Sequence, residues 1–99
     1  MQQVVIKSSN ATIQNGVARA DGKFWVTESD IHFEPYNTEF GLGPYKLDRQ
    51  SVSKVEKCVA TGGGFIPVTT DAIKITLSDD HSYKFILAFA DEWLELLRS

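Results

Sequence analysis

The feature that most constrains the fold is a two-residue hydrophobic period, which recurs along most of the 99-residue chain and stops near residue 89. In "DAIKITL", Ile73, Ile75 and Leu77 alternate with Lys74 and Thr76. Successive side chains of a strand point to opposite faces, so this segment predicts a half-buried strand. "KFWVT" sets Phe24 and Val26 on one face and Trp25 on the other, and "DIHFEPY" sets Ile31 and Phe33 opposite His32 and Glu34. The polar "TESD" between them predicts a hairpin turn. "IKITL" and "SYKFILAF" form a second pair around "SDDHS". Its second member is apolar on both faces through Phe85, Ile86, Leu87 and Phe89, so it must lie against something besides the sheet.

That something is "ADEWLELLRS", whose Trp93, Leu94 and Leu97 share one helical stripe. Asp91 is expected to accept hydrogen bonds from the first-turn amides, with Glu92 at the positive end of the helix dipole and Arg98 at the negative end. A helix this short is marginal in water, so its tryptophan face must dock to persist. Upstream, "LDRQSVSKVEK" reads as a strand end, a turn and a strand start, with Leu47, Val52 and Val55 as core points and a strand around Val55 to Ala60. The expected fold is therefore mainly β: an antiparallel barrel or orthogonal sandwich of several short strands capped by one C-terminal helix.

A chain of 99 residues suits one domain, expected over 1–99, and can bury roughly 65% of its unfolded surface. A net charge of −3, with the ten Lys and Arg residues scattered, argues against a nucleic-acid partner, because phosphate neutralisation needs clustered cations. One cysteine, Cys58, excludes an intrachain disulfide framework and favours a reducing compartment. "MQQVVIKSSN" lacks the apolar core of a secretory signal, and no apolar run is long enough to cross a bilayer. The expected location is the cytoplasm, with attachment to the inner face of a membrane as the peripheral variant.

Residues with chemical potential are few. The glycines of "TGGGFIPVTT" lead into a strand and carry no Lys, so they suit a loop needing positive φ better than a nucleotide-phosphate cradle. Phe65 and Ile66 beside them either insert into a partner or a membrane, or fold back over the core. Asp79, Asp80, His81 and Ser82 are consecutive on a turn and splay into water, which prevents a convergent catalytic relay. Glu28, Asp30, His32 and Glu34 alternate as a metal-binding face would, but the expected turn breaks the line. Cys58 reads as a small buried side chain. Trp25, Tyr36, Phe40 and Tyr45 either form a recognition surface, with Lys23 nearby, or seal the barrel end.

The ordered set Gly22-Lys23-Phe24, Val26-Thr27, Ile31, Phe33-Glu34-Pro35, "VSKVEK", "GFIP", "IKITLSDDHSYKF" and "DEW" resembles the small bacterial GRAM domain, a member of the pleckstrin-homology-like superfold. The resemblance covers about residues 10 to 97. It implies about seven strongly bent strands in two roughly orthogonal sheets, a C-terminal helix, and a non-catalytic module that binds lipids or proteins.

The expected function is accordingly a non-enzymatic interaction module without a cofactor. A protein partner, or self-association through an edge strand near Val4 to Lys7, ranks above anionic lipid, because acidic Asp21 and Glu28 lie near Lys7, Arg19 and Lys23 in sequence. The candidate contact residues are Phe65, Ile66, Trp25, Phe40, Tyr45 and Lys23. The alternative is a small-molecule-binding or catalytic domain in which His32, Tyr36, Tyr45 and Glu56 converge at the barrel mouth.

Overall fold

The computed structural model describes residues 4–15, 18–37, 41–62 and 66–98. The alternating segments form strands β1 (Lys7–Asn15), β2 (Ala18–Val26), β3 (Asp30–Pro35), β4 (Tyr45–Asp48), β5 (Val52–Gly62), β6 (Ile66–Leu77) and β7 (Ser82–Ile86), followed by helix α1 (Ala90–Arg98). They make one seven-stranded antiparallel sheet in the order β4-β3-β2-β1-β7-β6-β5. The mainly β architecture with a C-terminal helix is the one expected from the sequence.

A short connection forces this sheet to curl. β4 and β5 are its two edges, yet a single 3-10 turn, Arg49–Ser51, joins them. Seven flat strands about 4.8 Å apart would separate the edges by nearly 30 Å. The four residue steps from Asp48 to Val52 reach only about 14 Å even when fully extended. The edges must therefore approach each other, and the sheet wraps into an open barrel. Asp48 stabilises the tight connection by accepting a hydrogen bond from the Gln50 amide at 2.9 Å.

The inner face is the core. Phe24, Val26, Ile31, Phe33, Ile73, Ile75 and Phe85 are buried, as the period-two reading requires. Helix α1 packs against β5 and β6, and its Trp93 meets Phe24 edge-on at 4.9 Å. Phe85 links Phe24 at 4.8 Å to Phe33 at 5.5 Å, so rings from both halves of the sheet and the helix form one contact chain. Arg49 donates to the Thr27 carbonyl at 3.0 Å and to the Leu96 carbonyl at 3.3 Å, tying the end of the helix to the β2–β3 turn. Arg98 donates to the Val55 carbonyl at 3.0 Å.

Three details depart from expectation. Strand β7 ends at Ile86, and Phe89, expected to pack, is 71% exposed with a positive φ of 60°. Its backbone caps the helix: the Phe89 carbonyl accepts from the amides of Glu92 and Trp93. Asp91 lies inside the first turn and pairs instead with Lys57 Nζ at 3.2 Å. Finally, β1 is central in the strand order. Its first half pairs with β2, and Thr12 to Gln14 also pair with β7. Val4, Val5 and Ile6 precede it as an exposed apolar run.

Candidate functional site

The parity that buries Phe24 and Phe33 places their neighbours outside. Register sets Ser8, Trp25, His32 and Lys46 in one cross-strand row over β1 to β4. The next row is Asn10, Lys23 and Glu34. Trp25 and His32 stack face to face, with ring centroids 4.8 Å apart and planes 3° from parallel. Lys23 Nζ lies 5.9 Å from the Trp25 ring centre, within cation–π range.

Beside the stack is an open groove of about 670 Å³, lined by Val5, Lys23, Trp25, Glu34, Pro35 and Tyr36. Tyr36 donates through its hydroxyl to Asn10 Oδ1, and its amide donates to the Asp21 carbonyl at 2.9 Å. Gly22 lets β2 and β3 approach closely under the groove: a Cβ there would lie 2.8 Å from Pro35 Cα and would strike the Glu34 carbonyl. The groove thus combines an indole face, aliphatic walls, one cation, one carboxylate and a phenol, which suits a mixed peptide surface.

The other sequence-derived candidates fall elsewhere. Tyr45 is half-buried and meets Tyr83 at 5.1 Å, which joins β4 to β7 across the inner face. Ile66 opens β6 opposite Gly62, the last residue of β5, and Gly63 and Gly64 lie outside the described residues. Phe40 and Phe65 lie outside the described residues. Leu42, in the loop before β4, is buried. His32, Tyr36, Tyr45 and Glu56 do not converge: His32 stacks on Trp25, Tyr36 bonds Asn10, Tyr45 meets Tyr83, and Glu56 pairs with Lys54 at 3.4 Å.

The polar clusters are equally dispersed. The Thr27 amide donates to the Asp30 carbonyl at 2.9 Å, closing the β2–β3 turn, and Asp30 Oδ2 lies 3.9 Å from Lys46 Nζ. Among the described residues, no three His, Cys, Asp or Glu side chains gather where one metal ion could sit. His81 Nδ1 and Asp79 Oδ2 are 2.9 Å apart on the exposed β6–β7 turn. Their hydrogen bond raises the pKa of His81 and lowers that of Asp79. Cys58 is half-buried on the outer face of β5. Burial pushes its thiol pKa up, while the nearby ammonium groups of Lys84 and Lys74 pull the other way.

Val5, Glu34 and Pro35 were not singled out from sequence as groove residues. The parity that marked Trp25 also marks Glu34, once β2 and β3 are paired as a hairpin. The contribution of Val5 carries no local signal.

No family model and no curated protein matches the sequence. Solved structures do resemble the fold. One is a crystal structure of the C-terminal domain of an unknown protein from Leishmania infantum, with TM-score 0.73 and 14% identity, covering 96% of this chain and 81% of that one. Two others contain human RhoA, one with the DH/PH fragment of PDZRHOGEF and one with its inhibitor and the DH/PH domain of human ARHGEF11. Each of these matches has TM-score 0.70 and 16% identity, covering 97% of this chain and 28% of the other. The fold is pleckstrin-homology-like. The present chain spans under a third of the matched chains in those two complexes, and at these identities the likeness concerns architecture alone.

Proposed function

We propose that residues 1–99 form a single non-catalytic interaction module of the GRAM type within the pleckstrin-homology-like fold, and that it binds a protein partner through the Trp25 groove. The observation that carries this reading is the Trp25–His32 stack on the outer face. A large aromatic surface held rigid by a parallel ring loses little side-chain freedom on binding, as an anchor residue should. Two of the similar solved structures are complexes containing RhoA, which supports protein contact for this fold. Anionic lipid ranks second, because Glu34 lies directly opposite Lys23 on the same face. The location that suits the module is the cytoplasm, with the inner membrane face as the peripheral variant.

The test is selection of peptides from a displayed random library, followed by mapping of bound peptides by NMR. Ligands should perturb the Trp25 indole and His32 ring signals, and Trp25→Ala should weaken them by about 30-fold, the scale of an anchor residue. Peptides that map to the Tyr45–Tyr83 end, or that bind Trp25→Ala unchanged, would refute the groove. Salt-sensitive pelleting with anionic vesicles, lost in Lys23→Gln, would favour the lipid alternative.

A further inference from the structure

The outer face of β6 and β7 bears a second and different surface. Register sets Lys74 directly opposite Lys84, and Thr76 directly opposite Ser82 in the next outward rank. Both lysines are half-buried, so their stems lie along the sheet rather than swinging wholly into water. Like charges placed directly opposite across an antiparallel pair repel. Glu56 opposes Lys74 from β5, but its carboxylate already lies 3.4 Å from Lys54 Nζ. Among the described residues, no carboxylate lies within 4.0 Å of either Lys74 Nζ or Lys84 Nζ. Register thus sets Glu56, Lys74 and Lys84 in one cross-strand row over β5, β6 and β7.

A doubly cationic pair flanked by two hydroxyls matches one ligand chemistry well. A phosphate monoester carries about −1.5 to −2 charges at neutral pH and presents three acceptor oxygens, which balances two ammonium groups and leaves oxygens for hydroxyl donors. From this geometry we infer that Lys74, Lys84, Thr76 and Ser82 form a docking site for a phosphorylated side chain of a protein partner. The surroundings favour a single phosphate over a bilayer. Asp79 and Asp80 stand exposed on the turn adjoining Ser82, and Glu56 borders the other side. A broad anionic surface would meet those carboxylates, whereas one compact phosphate need meet only the lysines. The site lies on strands other than those of the Trp25 groove, so it stands or falls independently of that groove.

The test uses the full 99-residue chain, labelled with nitrogen-15 and titrated with a glycine-flanked phosphoserine peptide and its unphosphorylated counterpart. Saturable shifts at Lys74, Thr76, Ser82 and Lys84 are expected with the phosphopeptide alone, and inorganic phosphate should compete. The signals of Trp25 and His32 should stay in place. Lys74→Gln with Lys84→Gln should weaken binding about tenfold or more, the equivalent of losing one charge-assisted hydrogen bond. Thr76→Val with Ser82→Ala keeps both cations and should weaken it by a smaller factor, so a second variant reads the site should the first fail to fold. Absence of a saturable shift, an equal response to the unphosphorylated peptide, or full affinity in both variants overturns the site. Pelleting with phosphatidylserine-containing vesicles that is lost in the lysine variant, without peptide binding, overturns the protein assignment in favour of a membrane.

Discussion

Replacing Trp93 by alanine tests whether the helix is part of the core or only rests on it. Trp93 is 1% exposed, touches Phe24 edge-on at 4.9 Å, and has Lys7 Nζ 5.1 Å from its ring centre. Burying about 200 Å² of indole at about 25 cal/mol/Å² contributes roughly 5 kcal/mol. Retaining the alanine Cβ and allowing for a compact unfolded chain lowers this to about 3 kcal/mol. The edge-to-face contact adds about 1 kcal/mol, and the cation–π contact with half-exposed Lys7 adds about half that. The sum, roughly 4 to 5 kcal/mol, lies within the range for large aromatic truncations in cores. A chain of 99 residues has only about 5 to 15 kcal/mol of total stability, so Trp93→Ala should be near unfolding. Urea denaturation followed by far-ultraviolet circular dichroism and by the fluorescence of the remaining Trp25 measures the loss. With a slope of about 2 kcal/mol per molar urea, the midpoint should fall by about 2 M. A loss below about 1.5 kcal/mol, with the helical signal retained, would refute the reasoning, because the helix would then hold without its wedge.

Two further perturbations probe the strands and their turn. Gly22→Ala should cost about 1 to 3 kcal/mol, since the added Cβ meets the backbone of Glu34 and Pro35 and the ring of buried Phe33, and thermal melting should show a drop of about 5 °C or more. A melting temperature equal to that of the parent would show that β2 and β3 can part at no cost. At the β6–β7 turn, His81 has its pKa raised above 6.5 and Asp79 has its pKa lowered below 3.8, each chiefly by their shared hydrogen bond. The His81 contribution is present below its unfolded pKa and is lost as pH rises through the raised value. The Asp79 contribution is present above its unfolded pKa and is lost as pH falls through the lowered one. The pair therefore supports the turn most fully between about pH 4 and 6.5. Asp79→Asn should move the His81 titration, followed by its ring proton signals, back toward lower pH, and an unmoved titration would remove Asp79 as its cause.

Much of the fold is legible in parity alone. The alternation of Phe24, Trp25 and Val26 needs no knowledge of partners to divide inner from outer, and Ile73, Ile75 and Leu77 divide in the same way. Tyr45, expected among the outward aromatics, shares parity with buried Leu47 and lies half-buried against Tyr83 on the inner face. What parity cannot supply is order. β1 reads locally like any terminal strand, and its central place follows from β7 returning to pair with Thr12 to Gln14, a contact some seventy residues distant in sequence. The helix itself was legible from Ala90 onward, but its cap was not. Asp91 has a suitable capping side chain, but Lys57 on β5 holds its carboxylate, and the carbonyl of Phe89 accepts from the first-turn amides. The groove was half legible: Trp25, Lys23 and Tyr36 carried chemical signals, whereas Val5 joins them only through the course of the chain before β1.

The same alternation that builds the core also fixes the candidate surfaces, so neither can change alone. A one-residue slip of β2 against β1 and β3 would carry Lys23 and Trp25 inward and Phe24 and Val26 outward, exposing two fully buried side chains and burying a cation. Such a slip would also separate Trp25 from His32 and Lys23 from Glu34, the pairs that shape the groove. On β6, a slip would exchange Ile73 and Ile75 for Lys74 and Thr76, removing the Lys74–Lys84 opposition as it opened the core. The free energy of burial therefore sets the positions of solvent-facing residues that are not themselves buried. Phe24, Phe33, Phe85 and Trp93 occupy the inner face among the described residues, and the candidate contact residues Trp25 and Lys23 stand on the outer ranks of the sheet.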